Sequence, residues 1–165
     1  MFARARDQTV CERSSKMDET MLDEMYNAKI LDLAGRTPSP SRLSDPHQTA
    51  VRHSKLCGSK LTADVKFEGE EVAEIAMDVK ACALGQAAAA VVYENAVGAK
   101  VDEVRRARAA MHGMLKGEGS VPEGRFQELR FLEPVRDYRA RHASTLLAID
   151  ALAEACEAHA KANAA

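Results

Sequence analysis

This 165-residue chain has no tryptophan, few aromatic residues and almost no excess of either charge. Phe, Trp and Tyr make up 4% of the residues, so the core has to be built from Ala, Leu, Val, Ile and Met. A formal net charge of -2 does not indicate a nucleic-acid or membrane partner. No apolar run approaches the roughly 18 residues of a membrane span, and no apolar segment follows Arg4 and Arg6 as in a secretory signal. We therefore expect a cytoplasmic protein.

Only four cysteines are present, and their spacing does not form a disulfide framework. This usage favours a reducing compartment and thiols that are free or metal-bound. The sequence also has no Gly-rich phosphate loop, no nucleophile elbow and no His-Glu-x-x-His motif. A hydrolase with paired carboxylates stays open, although no motif indicates one. We therefore predict a protein that is not an enzyme.

Hydrophobic periodicity divides the chain into a disordered polar tail, residues 1–16, and a single domain, residues 17–165. Met17 directly precedes a helical pattern and is a candidate initiator. That pattern predicts a first helix over about 18–34, because apolar residues recur at helical spacing until Gly35, a good helix stop.

Alternating apolar and polar residues predict a hairpin after this helix. Residues 61–67 and 75–79 alternate, residues 68–70 form the turn, and an extended segment over 51–56 precedes them. Asp64 is interpreted as a solvated strand residue. The helices predicted further along the chain lie at 83–97, 101–115, 126–132 and around 142–152. The order of elements predicts an α+β fold, with a small antiparallel sheet of about three strands packed against several helices.

Two cysteines stand at the ends of the hairpin strands. Cys57 lies just before the first strand, and Cys82 lies just after the second, at the start of a helix rich in small residues. Because the outer ends of a hairpin meet, the two thiols should lie side by side, and the helix N-terminus should favour the thiolate of Cys82. Such a pair indicates a metal or sulfur site, and the alternative is two structural thiols. Cys11 and Cys156 are interpreted as surface or packing thiols.

Five short segments then occur in a recognisable order. They are residues 26–31 (Tyr-Asn-Ala-Lys-Ile-Leu), Cys57 with Gly58, Cys82 before a run of alanines, residues 132–136 (Leu-Glu-Pro-Val-Arg) and residues 142–146 (His-Ala-Ser-Thr-Leu). In this order they resemble the opening helix, the first and second cluster ligands, the chaperone-recognised loop and the third-ligand segment of one family. The chain is thus similar to NifU/IscU-type iron–sulfur cluster assembly scaffolds, close to the SUF branch.

The resemblance implies a NifU/IscU-like fold that holds a cluster or a zinc ion on three Cys plus an Asp or His. The ligands that it implies here are Cys57, Cys82 and His142. The family's third Cys falls on Ala143, and its Asp falls on Ser59, a further and weaker candidate ligand. For the fourth ligand, His53, water and a thiolate from a partner stay open beside Ser59. Three protein ligands leave an open position, which suits a site that accepts sulfide and later releases a cluster.

The function that the resemblance implies is that of a scaffold or carrier. It accepts sulfur from a cysteine desulfurase, binds iron or a nascent iron–sulfur cluster, and transfers it to client apo-proteins, with a chaperone as a further partner. The alternative is a degenerate paralogue that binds zinc or a partner and regulates the desulfurase without holding a cluster. Arg136, Arg139 and Arg141 form either a solvated helix start or a docking surface for the sulfur donor.

Overall fold

The computed structural model of the chain describes Asp23 and residues 26–164. The predicted tail, residues 1–16, lies outside the described residues, as do Met17 and Cys11. The predictions about the tail and the initiator therefore stay predictions. Within the described part of the chain, no helix combines the length and the apolar character needed to cross a membrane.

Three antiparallel strands form the sheet, in the order β1 (Gln48–Ser54), β2 (Ser59–Glu68) and β3 (Glu71–Lys80). Gly69 makes the tight turn between β2 and β3 with φ at +61°, a conformation that a residue without a Cβ adopts at no steric cost. Val65 and the apolar residues at alternate positions of β2 point into the core. The small antiparallel sheet of about three strands is therefore confirmed.

Among residues 26–164, four helices and a series of 3₁₀ turns complete the domain. They are α1 (Ala28–Gly35), α2 (Ala83–Ala96), α3 (Val101–Lys116), the 3₁₀ turns over Gly124–Asp137, and α4 (Arg139–Asn163). Helix α4 lies at the centre, because it contacts β1, β2, α2, α3 and the 3₁₀ turns. The alanines at 87–90 of α2 are buried, and side chains this small let neighbouring elements approach closely. The predicted α+β class is confirmed.

The first helix differs from its prediction at the N-terminal end. A continuous helix was predicted over 18–34, but among the described residues α1 begins at Ala28. Asn27 is extended, with ψ at 166°, and its side-chain Oδ1 accepts a hydrogen bond from the Ile30 amide at 3.0 Å. An Asn at this position satisfies a free N–H of the first turn, so it starts a helix rather than continuing one. Asp23 is helical, on the other side of this break.

The sheet face away from α4 is covered in part by the segment between α1 and β1. Asp64 is fully buried on this face, which contradicts its interpretation as a solvated residue. Its carboxylate accepts hydrogen bonds from Arg42 Nε at 2.6 Å, Thr49 Oγ1 at 2.6 Å and the Leu43 amide at 3.0 Å. Burial alone would raise the pKa of Asp64, but these hydrogen bonds and the Arg42 charge outweigh it and lower the pKa below its usual 3.8.

We expect Asp64→Asn to lower the free energy of unfolding by about 2–4 kcal/mol, because it removes the charge that compensates Arg42 and unbalances a buried network. A lowered carboxylate pKa stabilises the fold above the unfolded-state value, so this contribution should fade as the pH falls through the folded pKa. Urea unfolding at pH 7 and at about pH 3 measures both effects. Asp78→Asn is the matched control, since Asp78 Oδ1 is buried without a hydrogen-bond partner. An equal loss of stability in both variants would contradict the stabilising role of the Asp64 hydrogen bonds.

Candidate functional site

The sheet register brings the two cysteines to one end of the hairpin. Lys60 of β2 pairs with Lys80 of β3, so Cys57, three residues before Lys60, and Cys82, two residues after Lys80, emerge at the same edge. Cys57 lies in the turn between β1 and β2, and Cys82 is the N-cap residue of α2. Both residues are half-buried, and both thiols are free. A pair of accessible thiols therefore stands at the end of the sheet, as the sequence predicted.

Serine hydroxyls surround the thiol of Cys57. Its Sγ lies 3.0 Å from Ser59 Oγ and donates a hydrogen bond to Ser54 Oγ at 3.3 Å. Partial burial would raise the pKa of Cys57, but hydrogen bonds from Ser54, Ser59 and Ser144 to the thiolate outweigh burial and lower the pKa from 9.0 to about 7. At neutral pH a large share of Cys57 is therefore thiolate, the form that acts as nucleophile and metal ligand.

We expect the alkylation rate of Cys57 to rise with pH and to reach half of its maximum near the pKa of about 7. Mass spectrometry of the Cys57 peptide, after brief iodoacetamide treatment over about pH 5–10, measures the profile. Ser59→Ala should move the midpoint upward, because the thiolate loses a hydrogen-bond donor. A midpoint near 9 in the unmodified protein would show that the hydroxyls do not stabilise the thiolate.

A third serine connects the two thiols. Cys82 Sγ donates to Ser144 Oγ at 3.5 Å, and the same hydroxyl is near enough to Cys57 to help lower the pKa of its thiol. Ser144 is fully buried at the start of α4, where it also donates to the Arg141 carbonyl at 3.0 Å. Ala143, the residue on which the family's third Cys falls, is exposed instead. The side chain that α4 contributes to the site is therefore that of Ser144.

The helical periodicity of α4 indicates that Ser144 belongs to its buried face, which the sequence analysis missed. The buried face of α4 includes Leu147, Ala148, Ala151 and Leu152. Ser144 precedes Leu147 by three residues and Ala148 by four, so it belongs to the same face, whereas an adjacent residue points about 100° away around the helix. The row of buried residues along α4 thus indicates that the side chain at position 144 faces the interior.

Gly85 lets α2 and α4 meet at this point. A Cβ on Gly85 would lie 2.7 Å from Ala81 Cβ and 3.0 Å from the carbonyl oxygen of Ser144. Both distances are shorter than ordinary van der Waals contacts, and the oxygen belongs to the backbone, which cannot rotate away. The absence of a side chain at Gly85 therefore fixes how closely the Ser144 hydroxyl approaches the N-terminus of α2.

We expect Gly85→Ala to lower the free energy of unfolding by about 1–3 kcal/mol, as overpacking does, and to move Ser144 away from Cys82. Urea unfolding measures the first effect, and an upward shift of the Cys57 alkylation midpoint measures the second. Gly35→Ala is the matched control, because nothing lies within 4 Å of a Cβ built at the last residue of α1. Indistinguishable behaviour of the two variants would contradict this role of Gly85.

The ring of His142 hydrogen-bonds to backbone carbonyls. Its Nε2 lies 2.9 Å from the Arg136 oxygen and 3.1 Å from the Val135 oxygen, which ties α4 to the preceding 3₁₀ turns. It also lines a cleft of about 820 Å³ with Arg136 and Arg139. Arg136 pairs with acidic neighbours on its own segment, so the predicted docking surface depends mainly on the other arginines.

The predicted metal ligands do not assemble around one point. Among the described residues, no three His, Cys, Asp or Glu side chains come together in an arrangement suited to a metal ion. Cys82 bonds to the Ser144 hydroxyl, Ser59 bonds to Cys57, and His142 bonds to backbone carbonyls. The donors that the described residues of one chain offer are thus two cysteine sulfurs and neutral hydroxyls, which do not fit a tetrahedral zinc site of four good ligands.

Cys156 lies apart from this site. It is fully buried on α4, and burial raises the pKa of its thiol to about 12. A thiol with this pKa is protonated at neutral pH and does not act as a ligand or nucleophile. Its placement agrees with the prediction of a packing thiol.

Comparison with known proteins places the chain among cluster scaffolds, although no family model matches it. The iron–sulfur cluster assembly scaffold protein IscU of Thermotoga maritima is 28% identical over 133 residues, which are 79% of this chain and 92% of that protein. The crystal structure of a nitrogen-fixing NifU-like protein (N-terminal) from Brucella abortus is 48% identical, with a TM-score of 0.82. The match covers 86% of this chain and 98% of that chain.

A third relative extends the likeness of fold. The crystal structure of a putative iron–sulfur cluster assembly scaffold protein for the SUF system, from Fervidobacterium islandicum AW-1, matches with a TM-score of 0.72. It covers 81% of this chain and 98% of that chain at 20% identity, a level at which the likeness concerns the fold alone.

Proposed function

Because the chain belongs to the NifU/IscU-type family of iron–sulfur cluster assembly scaffold proteins, we propose that it builds or carries a transient iron–sulfur cluster at Cys57 and Cys82 for transfer to client proteins. The observation that carries the site assignment is the meeting of both thiols at the Ser144 hydroxyl, on one edge of the sheet. Soft thiolates favour iron–sulfur species over hard cations. The cargo is held at the surface, where a partner protein can reach it.

Sulfur enters this site through Cys57. Its thiolate, stabilised by three serine hydroxyls, attacks the outer sulfur of a persulfide on a cysteine desulfurase. A sulfur–sulfur bond forms at Cys57, the persulfide bond of the donor breaks, and the donor cysteine leaves as a thiolate. Cys57 then carries the sulfur as a persulfide beside Cys82, which is free to bind iron.

Anaerobic loading tests the proposed function. The chain is mixed with a preformed [2Fe–2S] cluster carried by small thiols, and is then freed of unbound material and analysed by visible absorption and for iron and sulfide. Iron and sulfide should be retained in equal amounts with charge-transfer absorption. Retention of zinc alone, with no cluster under any loading condition, would favour the degenerate paralogue that regulates the desulfurase.

A further inference from the structure

Helix α3 carries an excess of basic side chains in a chain whose formal net charge is -2. It contains four basic and two acidic residues, and both acids, Asp102 and Glu103, lie in its first turn. Carboxylates at that end complement the partial positive charge of a helix N-terminus. The rest of α3 therefore has cations and no carboxylate. The basic surface of α3 consists of Arg105, Arg106, Arg108 and Lys116.

These four cations differ in how far the chain itself neutralises them. Arg106 and Lys116 are exposed and form no ion pair with any described residue. Arg105 pairs with Asp102 at 3.0 Å, but both side chains are exposed, and such a pair contributes little. The basic surface therefore has positive charge that the described residues of this chain do not balance.

Asp150 of α4 orders the side chains at the centre of the basic surface. Its Oδ1 accepts a hydrogen bond from Arg108 Nε at 2.9 Å and lies 2.7 Å from His112 Nε2. A guanidinium has five N–H donors, so the Nη groups of Arg108 stay available to a carboxylate of another protein. Because Asp150 already orders Arg108, docking of a partner costs less side-chain entropy there.

A cleft of about 280 Å³ lies beside the basic surface, with residues of α3 and α4 on its two sides. Arg105, Arg108 and Lys116 line it from α3. Glu157 lines it from α4, so three cations face one carboxylate. Ala109 also lines the cleft and is exposed, and a side chain this small lets another helix approach closely. The cleft is therefore both accessible and positively charged.

We propose that the basic surface of α3 is a docking site for a partner protein that presents one acidic helix, with carboxylates repeated every three or four residues. The α3 residues of the cleft recur at 105, 108, 109, 112 and 116, the spacing at which one helix faces another. Carboxylates at the same spacing complement these cations. A net charge of -2 disfavours a nucleic acid, whose phosphates bind through many basic contacts. The inference goes beyond the proposed function, since docking needs no cluster.

Binding of two synthetic peptides to the unloaded full chain tests this inference. Both are helical peptides of about 22 residues with the same composition. One carries glutamates at i, i+4, i+7 and i+11 on a single face, and the other carries the same glutamates spread around the helix. Isothermal titration calorimetry at about 20 mM salt, where screening is weak, should show about fivefold tighter binding of the one-face peptide. Equal affinities, or no binding of either peptide, overturn the inference.

Two double variants show whether the position of the charge matters. Arg106→Glu with Lys116→Glu breaks no ion pair between described residues and should weaken binding of the one-face peptide about tenfold or more. Lys55→Glu with Lys80→Glu makes the same change of net charge at exposed positions of the sheet edge, and as the matched control should stay within about twofold of the unmodified chain. An equal loss in both double variants overturns the inference. So does tighter binding of a DNA duplex, or of vesicles that contain anionic lipid, than of the one-face peptide.

Discussion

Cys82→Ser and Cys57→Ser are each expected to abolish cluster loading. Either substitution leaves a single cysteine thiolate at the site, which is too few to hold a cluster that requires four such ligands or their equivalents. Visible absorption and iron content after anaerobic loading should fall to about a tenth of the value for the unmodified protein or less. The iron that remains would be adventitious. The hydroxyl that replaces the thiol is close in size, and circular dichroism should show an intact fold.

Cys156→Ala is the matched control for this loss. Cys156 is buried, and burial raises the pKa of its thiol to about 12, so its removal takes away packing but no ligand. Its cluster content for each folded chain should equal that of the unmodified protein. Normal loading of Cys82→Ser would contradict the assignment of the site.

Ser144→Cys is expected to convert the site into one that holds metal on a single chain. The new thiol would lie where the hydroxyl now meets Cys57 and Cys82, so three thiolates would face one point, with water as the fourth ligand. Structural zinc sites bind with about 10–16 kcal/mol over four ligands, or roughly 3 kcal/mol each, so one more thiolate predicts an affinity gain on the order of a hundredfold. Competition with a coloured chelator measures the zinc affinity.

Ala143→Cys is the control that separates the two placements of the third ligand. Ala143 is exposed, and its side chain points in a different direction around the helix from that of Ser144. A thiol at position 143 should therefore leave both the zinc affinity and the cluster stoichiometry unchanged. A gain in Ala143→Cys with none in Ser144→Cys would restore the placement that the resemblance gave.

The sequence was sufficient for the features that depend on periodicity. Alternation over 61–67 and 75–79 predicted the hairpin, and the hairpin placed Cys57 and Cys82 at the same edge, as the register of Lys60 with Lys80 confirms. Side-chain direction in a strand repeats every two residues, so each apolar position constrains the next. The same local logic predicted the alanine-rich helix after Cys82.

Features that depend on contacts between distant segments could not be predicted in this way. Asp64 is buried because Arg42, 22 residues earlier, lies against it, and nothing in the alternation of β2 indicates that partner. His142 was assigned as a ligand by motif position, whereas its ring bonds to carbonyls of the 3₁₀ turns. The family's third Cys falls on Ala143, which is exposed, whereas the next residue, Ser144, is buried beside Cys82. Motif alignment does not report helix phase, which the pattern of burial fixes.

Cluster transfer tests the central claim, that this chain carries an iron–sulfur cluster for delivery, most directly. The loaded protein is mixed anaerobically with an apo-ferredoxin that needs a [2Fe–2S] cluster, and the circular dichroism of the acceptor is followed in the visible range. We predict that the acceptor signal appears in proportion to the cluster lost from this chain. The Cys57→Ser variant, taken through the same loading procedure, should give no acceptor signal. A chain that loads no cluster, or that keeps its cluster while the acceptor stays empty, would contradict the account.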